Sequence, residues 1–199
     1  MTHKYFRYAA TSLLSMVIGL TATTVVAADP GVTDTKIVLG SVTPVSGPAS
    51  LLGKAHMHAL RVWEQDVNAR GGINGRKVEI RQDDDGYVPQ RAVQSVKRLV
   101  DVEGIFGLIG TSGSAMLQAM LPFINEQRLP TINAMAVAAA HFTPPNKTVF
   151  VVGPTYCQEL SAGMKHMVTS KKLQKEKFAL VYQDCLLYTS DAADDTPCV

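Results

Sequence analysis

An α/β fold, a parallel sheet with helices on both faces, is what this 199-residue chain predicts, and three observations carry the prediction. Six short runs rich in β-branched and aromatic residues recur along it, and the third and fifth are nearly continuous in apolar residues, as strands buried on both faces are. Between the first four runs lie stretches with apolar residues at threes and fours, the period of a half-buried helix. The two kinds alternate, and alternation implies parallel pairing through right-handed crossovers.

The first strand is expected over Lys36–Val42, followed by a helix whose apolar stripe is Leu52, His56, Ala59 with Leu60, Trp63 and Val67. Gly71-Gly72-Ile73-Asn74-Gly75 ends that helix and turns the chain back to the sheet. Lys77–Arg81 is the second strand, and Val93, Val96 and Leu99 with Val100 mark the second helix. Ile105–Ile109, a helix with Leu117, Met120, Leu121 and Ile124, and a fourth strand over Leu129–Asn133 complete one unit, residues 29–146. After Phe142-Thr-Pro-Pro-Asn146 the composition changes. Val149–Val152, a helix bearing Leu160, Met164, Met167 and Val168, and a strand over Phe178–Tyr182 are expected to open a second unit, residues 147–184, because so few elements bury no core of their own.

The two ends read differently. Residues 1–28 have the design of a secretory signal: Lys4 and Arg7, an apolar run from Ala9 to Leu20, and Val26-Ala27-Ala28 before Asp29. Thr11, Ser12, Ser15, Thr21, Thr23 and Thr24 interrupt the run and argue against a membrane anchor. Residues 185–199 have neither strand nor helix period, and Cys185 to Asp194 resembles the translation of a transposon-end sequencing adapter, so this tail is expected to be foreign. The remaining chain holds seventeen basic and fourteen acidic residues, scattered, with no basic stripe for nucleic acid. Its single cysteine, Cys157, is expected as a free thiol, leaving stability to an ordinary hydrophobic core.

A doubly wound sheet binds ligands outside the carboxyl ends of its strands, where the strand order reverses. The loops so placed are Pro44 to Gly53, Asp83 to Tyr87, Gly110 to Ser114 and Ala134 to Ala138. Three adjacent acids, Asp83-Asp84-Asp85, fit a solvated turn better than a metal site. His56 and His58, two apart on a helix, point to different faces and make no zinc pair. The methionines at 116, 120, 164 and 167 fit helix cores.

Three ordered stretches carry a family resemblance: Ile37-Val-Leu-Gly-Ser-Val-Thr-Pro-Val-Ser-Gly-Pro48, Asp66-Val-Asn-Ala-Arg-Gly-Gly-Ile-Asn-Gly-Arg76, and Asp83-Asp-Asp-Gly-Tyr-Val-Pro89 with Ala92-Val93. From about Val32 to Asp184 the chain resembles the branched-chain amino acid binding proteins of ABC transporters, the type I periplasmic binding proteins. The resemblance implies a bilobed fold, each lobe a parallel sheet flanked by helices, with only the first lobe and the start of the second present here. It also implies a monomer in the periplasm that captures an amino acid or related small carboxylate between its lobes and delivers it to an ABC permease in the inner membrane. No cofactor, metal, nucleic acid or catalysis is implied. A ligand-sensing protein of the same fold that signals to a membrane receptor is the alternative, and an exported α/β enzyme a weaker one, since Gly107 to Gly113 lacks the GxGxxG spacing.

By the resemblance, Ser114 is the carboxylate-binding serine, in the turn with Ser112; read alone, it fits a helix cap better. Met135 corresponds to the donor of a carbonyl for a ligand ammonium, in the segment Met135-Ala136-Val137. Val137 stands where the family has a threonine, so its hydroxyl is lost and ordinary leucine-type recognition is in doubt. Leu52 holds the position where leucine binders often carry an aromatic residue. Tyr156 lies where members place a contact from the second lobe, and a rim tyrosine is an equal reading.

Overall fold

The computed structural model describes residues 29–141 and 144–172. The segments read above as secretory signal, as a sixth strand over Phe178–Tyr182 and as foreign tail lie outside the described residues. Five parallel strands form one sheet in the order β2-β1-β3-β4-β5: β1 Lys36–Thr43, β2 Lys77–Asp84, β3 Gly107–Ser112, β4 Thr131–Met135 and β5 Val149–Val151. Helices α1 Ser50–Ala69, α2 Pro89–Asp101 and α3 Ser114–Glu126 fill the crossovers, a short 3-10 turn spans Ala139–His141, and α4 runs over Tyr156–Ser170.

The strand register explains which residues meet which helices. β1 and β2 pair over eight residues, Lys36 with Lys77 through Thr43 with Asp84. Side chains on paired parallel strands share a face, so Val38 and Val42 lie on the side covered by α2 and α3. There they join Ala92, Val96, Leu99, Met116, Leu117, Met120 and Ile124 in the core. Ser41 and Thr43, on the other side of β1, are fully buried as well. β2 is an edge strand, and α1 covers its free edge with side chains. Asn68 donates to the Val78 carbonyl and accepts from the Val78 N–H, both at 2.8 Å, and Glu64 accepts from the Ile80 N–H. An edge closed in this way offers no template for another strand.

One boundary moves. Val149–Val151 pairs with Thr131–Asn133 as the fifth strand of the first sheet, so the division at residue 146 falls inside a connection of that sheet. A strand of three residues, stopped by Gly153-Pro154, is too short to show by its period which sheet it joins. Strands β1 to β4 also end later than their apolar runs, because Thr43, Asp84, Ser112 and Met135 are still paired in the ladder. Of the four methionines, Met116 and Met120 are core residues, whereas α4 has no buried residue. Cys157 is disulfide-bonded. The free thiol expected of it from the sequence is thus corrected.

Candidate functional site

The strand order reverses between β1 and β3: the chain leaves β1 toward β2 on one side and returns through α2 to β3 on the other. The carboxyl ends of these two strands therefore open a crevice between their following turns. Ser112 is the last residue of β3, Gly113 the N-cap of α3 and Ser114 its first helical residue. Gly113 sits at φ 88, and no side chain caps the helix. The first intrahelical bond is from Leu117 N–H to the Gly113 carbonyl. The N–H groups before it, with the positive end of the helix dipole, thus form a site for an anion. The cap reading of Ser114 is not what the fold adopts, since the cap position belongs to Gly113. By contrast α4 carries a full capping box, Thr155 with Gln158.

Three of the expected residues come together. The Ser114 hydroxyl lies 3.4 Å from the Tyr156 hydroxyl, and the Tyr156 N–H donates to the Val137 carbonyl at 3.3 Å. Ser112 stands beside Met135 at the end of the β3–β4 ladder. Ala136 is fully buried, and its carbonyl accepts from Asn133 Nδ2 at 2.7 Å. Leu52, in the first turn of α1, is 60% exposed at the rim.

Behind the crevice the acidic triplet is ordered in a way its sequence does not announce. Asp83 and Asp84 finish β2, and Asp83 pairs with Arg98 at 2.8 Å. Asp84 accepts from the N–H groups of Val45, Ser46 and Gly86 and from the Ser46 hydroxyl, tying the β1–α1 turn to the end of β2. Burial works to raise its pKa, but the Ser46 hydroxyl and these three N–H groups outweigh it and hold the carboxyl at about 2. Asp85 is 0% exposed and takes the Tyr87 N–H at 2.8 Å. Burial foremost, with the charges of Asp84 and Asp83, pushes it up to about 6 against the Tyr87 N–H and Arg91. So the solvated-turn reading holds only in part: Asp83 and Asp84 are half-buried at the end of β2, and only Asp85 is enclosed by the turn that follows. His56, on α1, packs against the backbone of Gly110, where β3 bulges out of register with β4. Burial lowers its pKa, against a hydrogen bond with the Gly110 backbone that works to raise it.

Comparisons with known proteins agree with this architecture. The family model for periplasmic binding proteins matches residues 36–196, a stretch that runs past Asp184 into the segment read as foreign. The Leu/Ile/Val-binding protein homolog 7 of Brucella suis is 29% identical over 163 residues, 78% of this chain and 40% of that protein. The Leu/Ile/Val-binding protein homolog 8 of Brucella abortus is 32% identical over 102 residues, 51% of this chain and 25% of that one. The chain thus spans at most about two fifths of the length of these curated relatives. Among solved structures, a fatty acid ABC transporter substrate-binding protein from Thermomonospora curvata superposes with a TM-score of 0.65 at 32% identity, covering 74% of this chain and 36% of that one. The branched-chain amino acid transporter substrate binding protein LivJ of Streptococcus pneumoniae, in complex with isoleucine, gives 0.62 at 19% identity over 69% and 39% of the two chains, a likeness of fold alone. With well over half of its residues matched by the family model, this chain belongs to the periplasmic binding protein family and carries the type I α/β fold.

Proposed function

We propose that this chain forms the first wall of the ligand cleft in a solute-binding protein of an ABC importer, working in the periplasm and handing its ligand to a membrane permease. The ligand class we assign is a small carboxylate with an apolar part, a branched-chain amino acid or a related acid. One observation carries this: the uncapped turn Ser112-Gly113-Ser114 at the strand-order reversal, with the Tyr156 hydroxyl beside Ser114 and the Tyr156 backbone tied to the Val137 carbonyl. Val137 supplies an N–H and a hydrophobic surface but no hydroxyl, so the carboxylate depends on Ser114 and backbone groups. Relatives named for leucine, isoleucine and valine and one named for fatty acids share a carboxylate and an aliphatic part. The remaining contacts come from a second lobe, which we place after β5. Capture is a population shift toward a closed form that both lobes' contacts favour, with no bond made or broken in the ligand.

The test is calorimetric titration of the full-length protein with L-leucine, L-isoleucine and octanoate. Ser114→Ala is expected to weaken the best of these by tenfold or more, since a hydrogen bond to a charged group contributes about 1.5–3 kcal/mol. An unchanged affinity would remove Ser114 from the site and the proposal with it.

A further inference from the structure

Tyr87 has φ 64, a left-handed backbone conformation. Asn74, Arg128 and Lys172 share it among the described non-glycine residues, but Asn74 occupies a turn and the other two follow helix C-termini, where the left-handed region ends a helix. Tyr87 ends no helix; it stands between β2 and α2 at the carboxyl edge of the sheet. A bulky aromatic there carries a backbone strain that glycine would avoid. The conformation is held in place: the Tyr87 N–H donates to Asp85 Oδ1 at 2.8 Å, the Val88 N–H to the Asp85 carbonyl at 3.0 Å, and the preceding Gly86 N–H to Asp84 Oδ1 at 2.9 Å.

The ring is delivered to one place. A Cβ on Gly113 would lie 3.2 Å from its edge, so the ring lies alongside the residue before Ser114. It packs on the core only in part and stays half-buried, in the loop at the carboxyl edge of the sheet. A side chain needed only as filler would be buried like Ala92 and Val96 beneath it, which are 0% exposed. The space a Cβ on Gly113 would take is filled by the Met116 methyl, and the Tyr87 ring edge lies next to it.

From the strained backbone and this contact we infer that Tyr87 determines ligand specificity. Its ring forms the wall against which the apolar part of the ligand packs while the carboxylate sits at the Ser114 turn. The inference rests on the function proposed above and adds to it a residue and a selectivity.

Tyr87→Gly separates the roles, because glycine adopts φ 64 without strain and the variant therefore folds. In calorimetric titrations of the full-length protein with L-leucine, octanoate and propionate, Tyr87→Gly is expected to weaken leucine or octanoate by about tenfold, as loss of apolar burial requires. Propionate, with little apolar surface, should change far less, and Tyr87→Phe should hold every affinity within about threefold. Ser114→Ala, run beside it, should weaken all three. If Tyr87→Gly changes only the denaturation midpoint while Ser114→Ala abolishes binding, the specificity role is wrong and the proposed function stands. If neither variant changes any affinity, or if no probe binds saturably, both fall.

Discussion

Asp84 and Asp85 are adjacent in the chain, yet the fold shifts their acidities in opposite directions, and each shift makes a statement about stability. Asp84, held at about 2, adds stability above the ordinary carboxylate range, and that contribution is lost as pH falls from about 4 toward 2. Asp85, raised to about 6, works the other way. The folded state binds its proton more tightly than the unfolded chain, so its contribution is complete below about pH 4 and is lost as pH rises to about 6. Asp85→Asn should therefore be more stable than the parent at pH 7 by about 2 kcal/mol and nearly equal to it at pH 4. Urea denaturation midpoints across that range check it; parallel pH profiles for the two proteins would show that Asp85 is not the group responsible. The triplet's sequence could not disclose this difference. Three identical letters were distributed among a strand surface, a turn anchor and a buried position by the register of β2 against β1.

At the scale of elements, helix α1 approaches the β1 turn because Gly53 has no side chain. A Cβ there would fall on the Pro44 carbonyl, a backbone atom that cannot swing aside. Gly53→Ala gains helix propensity, about 1 kcal/mol by itself, but must push α1 away from the turn that Asp84 anchors. The expected net result is a loss of roughly 1–3 kcal/mol in denaturation experiments; an increase in stability would mean that α1 slides freely over β1. The helices and strands were legible because their periods survive in the sequence: Leu117, Met120, Leu121 and Ile124 point inward as their spacing requires. Strand ends were less legible, because Thr43, Asp84 and Ser112 are polar and only their pairing makes them strand. The site was legible in part. Ser114 and Tyr156, singled out separately by the resemblance, lie side by side in the fold, whereas Tyr87 gave no periodic signal, and the role proposed for it is visible only in its backbone angle and its neighbour Gly113.

Across the whole molecule, cover is uneven. Among the described residues, the side of the sheet packed by α2 and α3 is buried, and α1 shields the opposite side over β1, β2 and part of β3. Beyond it Ile132 on β4 and Phe150 on β5 are 48% and 57% exposed, and Val152 follows at 64%. The 199-residue chain by itself is expected to self-associate as its concentration rises, since neighbouring exposed apolar side chains beside a short edge strand favour contact. Light scattering after size exclusion checks this, and a monomer at all accessible concentrations would contradict it. On the function proposed above, in which this chain supplies one wall of the cleft, it should bind carboxylates much more weakly than the full-length protein; equal affinities in calorimetry would place the whole site within this lobe. The uncovered strip also has a practical meaning. A detachable single-lobe scaffold for biosensors could be made from this chain by altering the outward face alone, with Ile132→Thr and Phe150→Lys as the first substitutions. Both positions lie on the side of the sheet away from the packed core, so a solubilised version would keep the Ser114 turn intact for grafting.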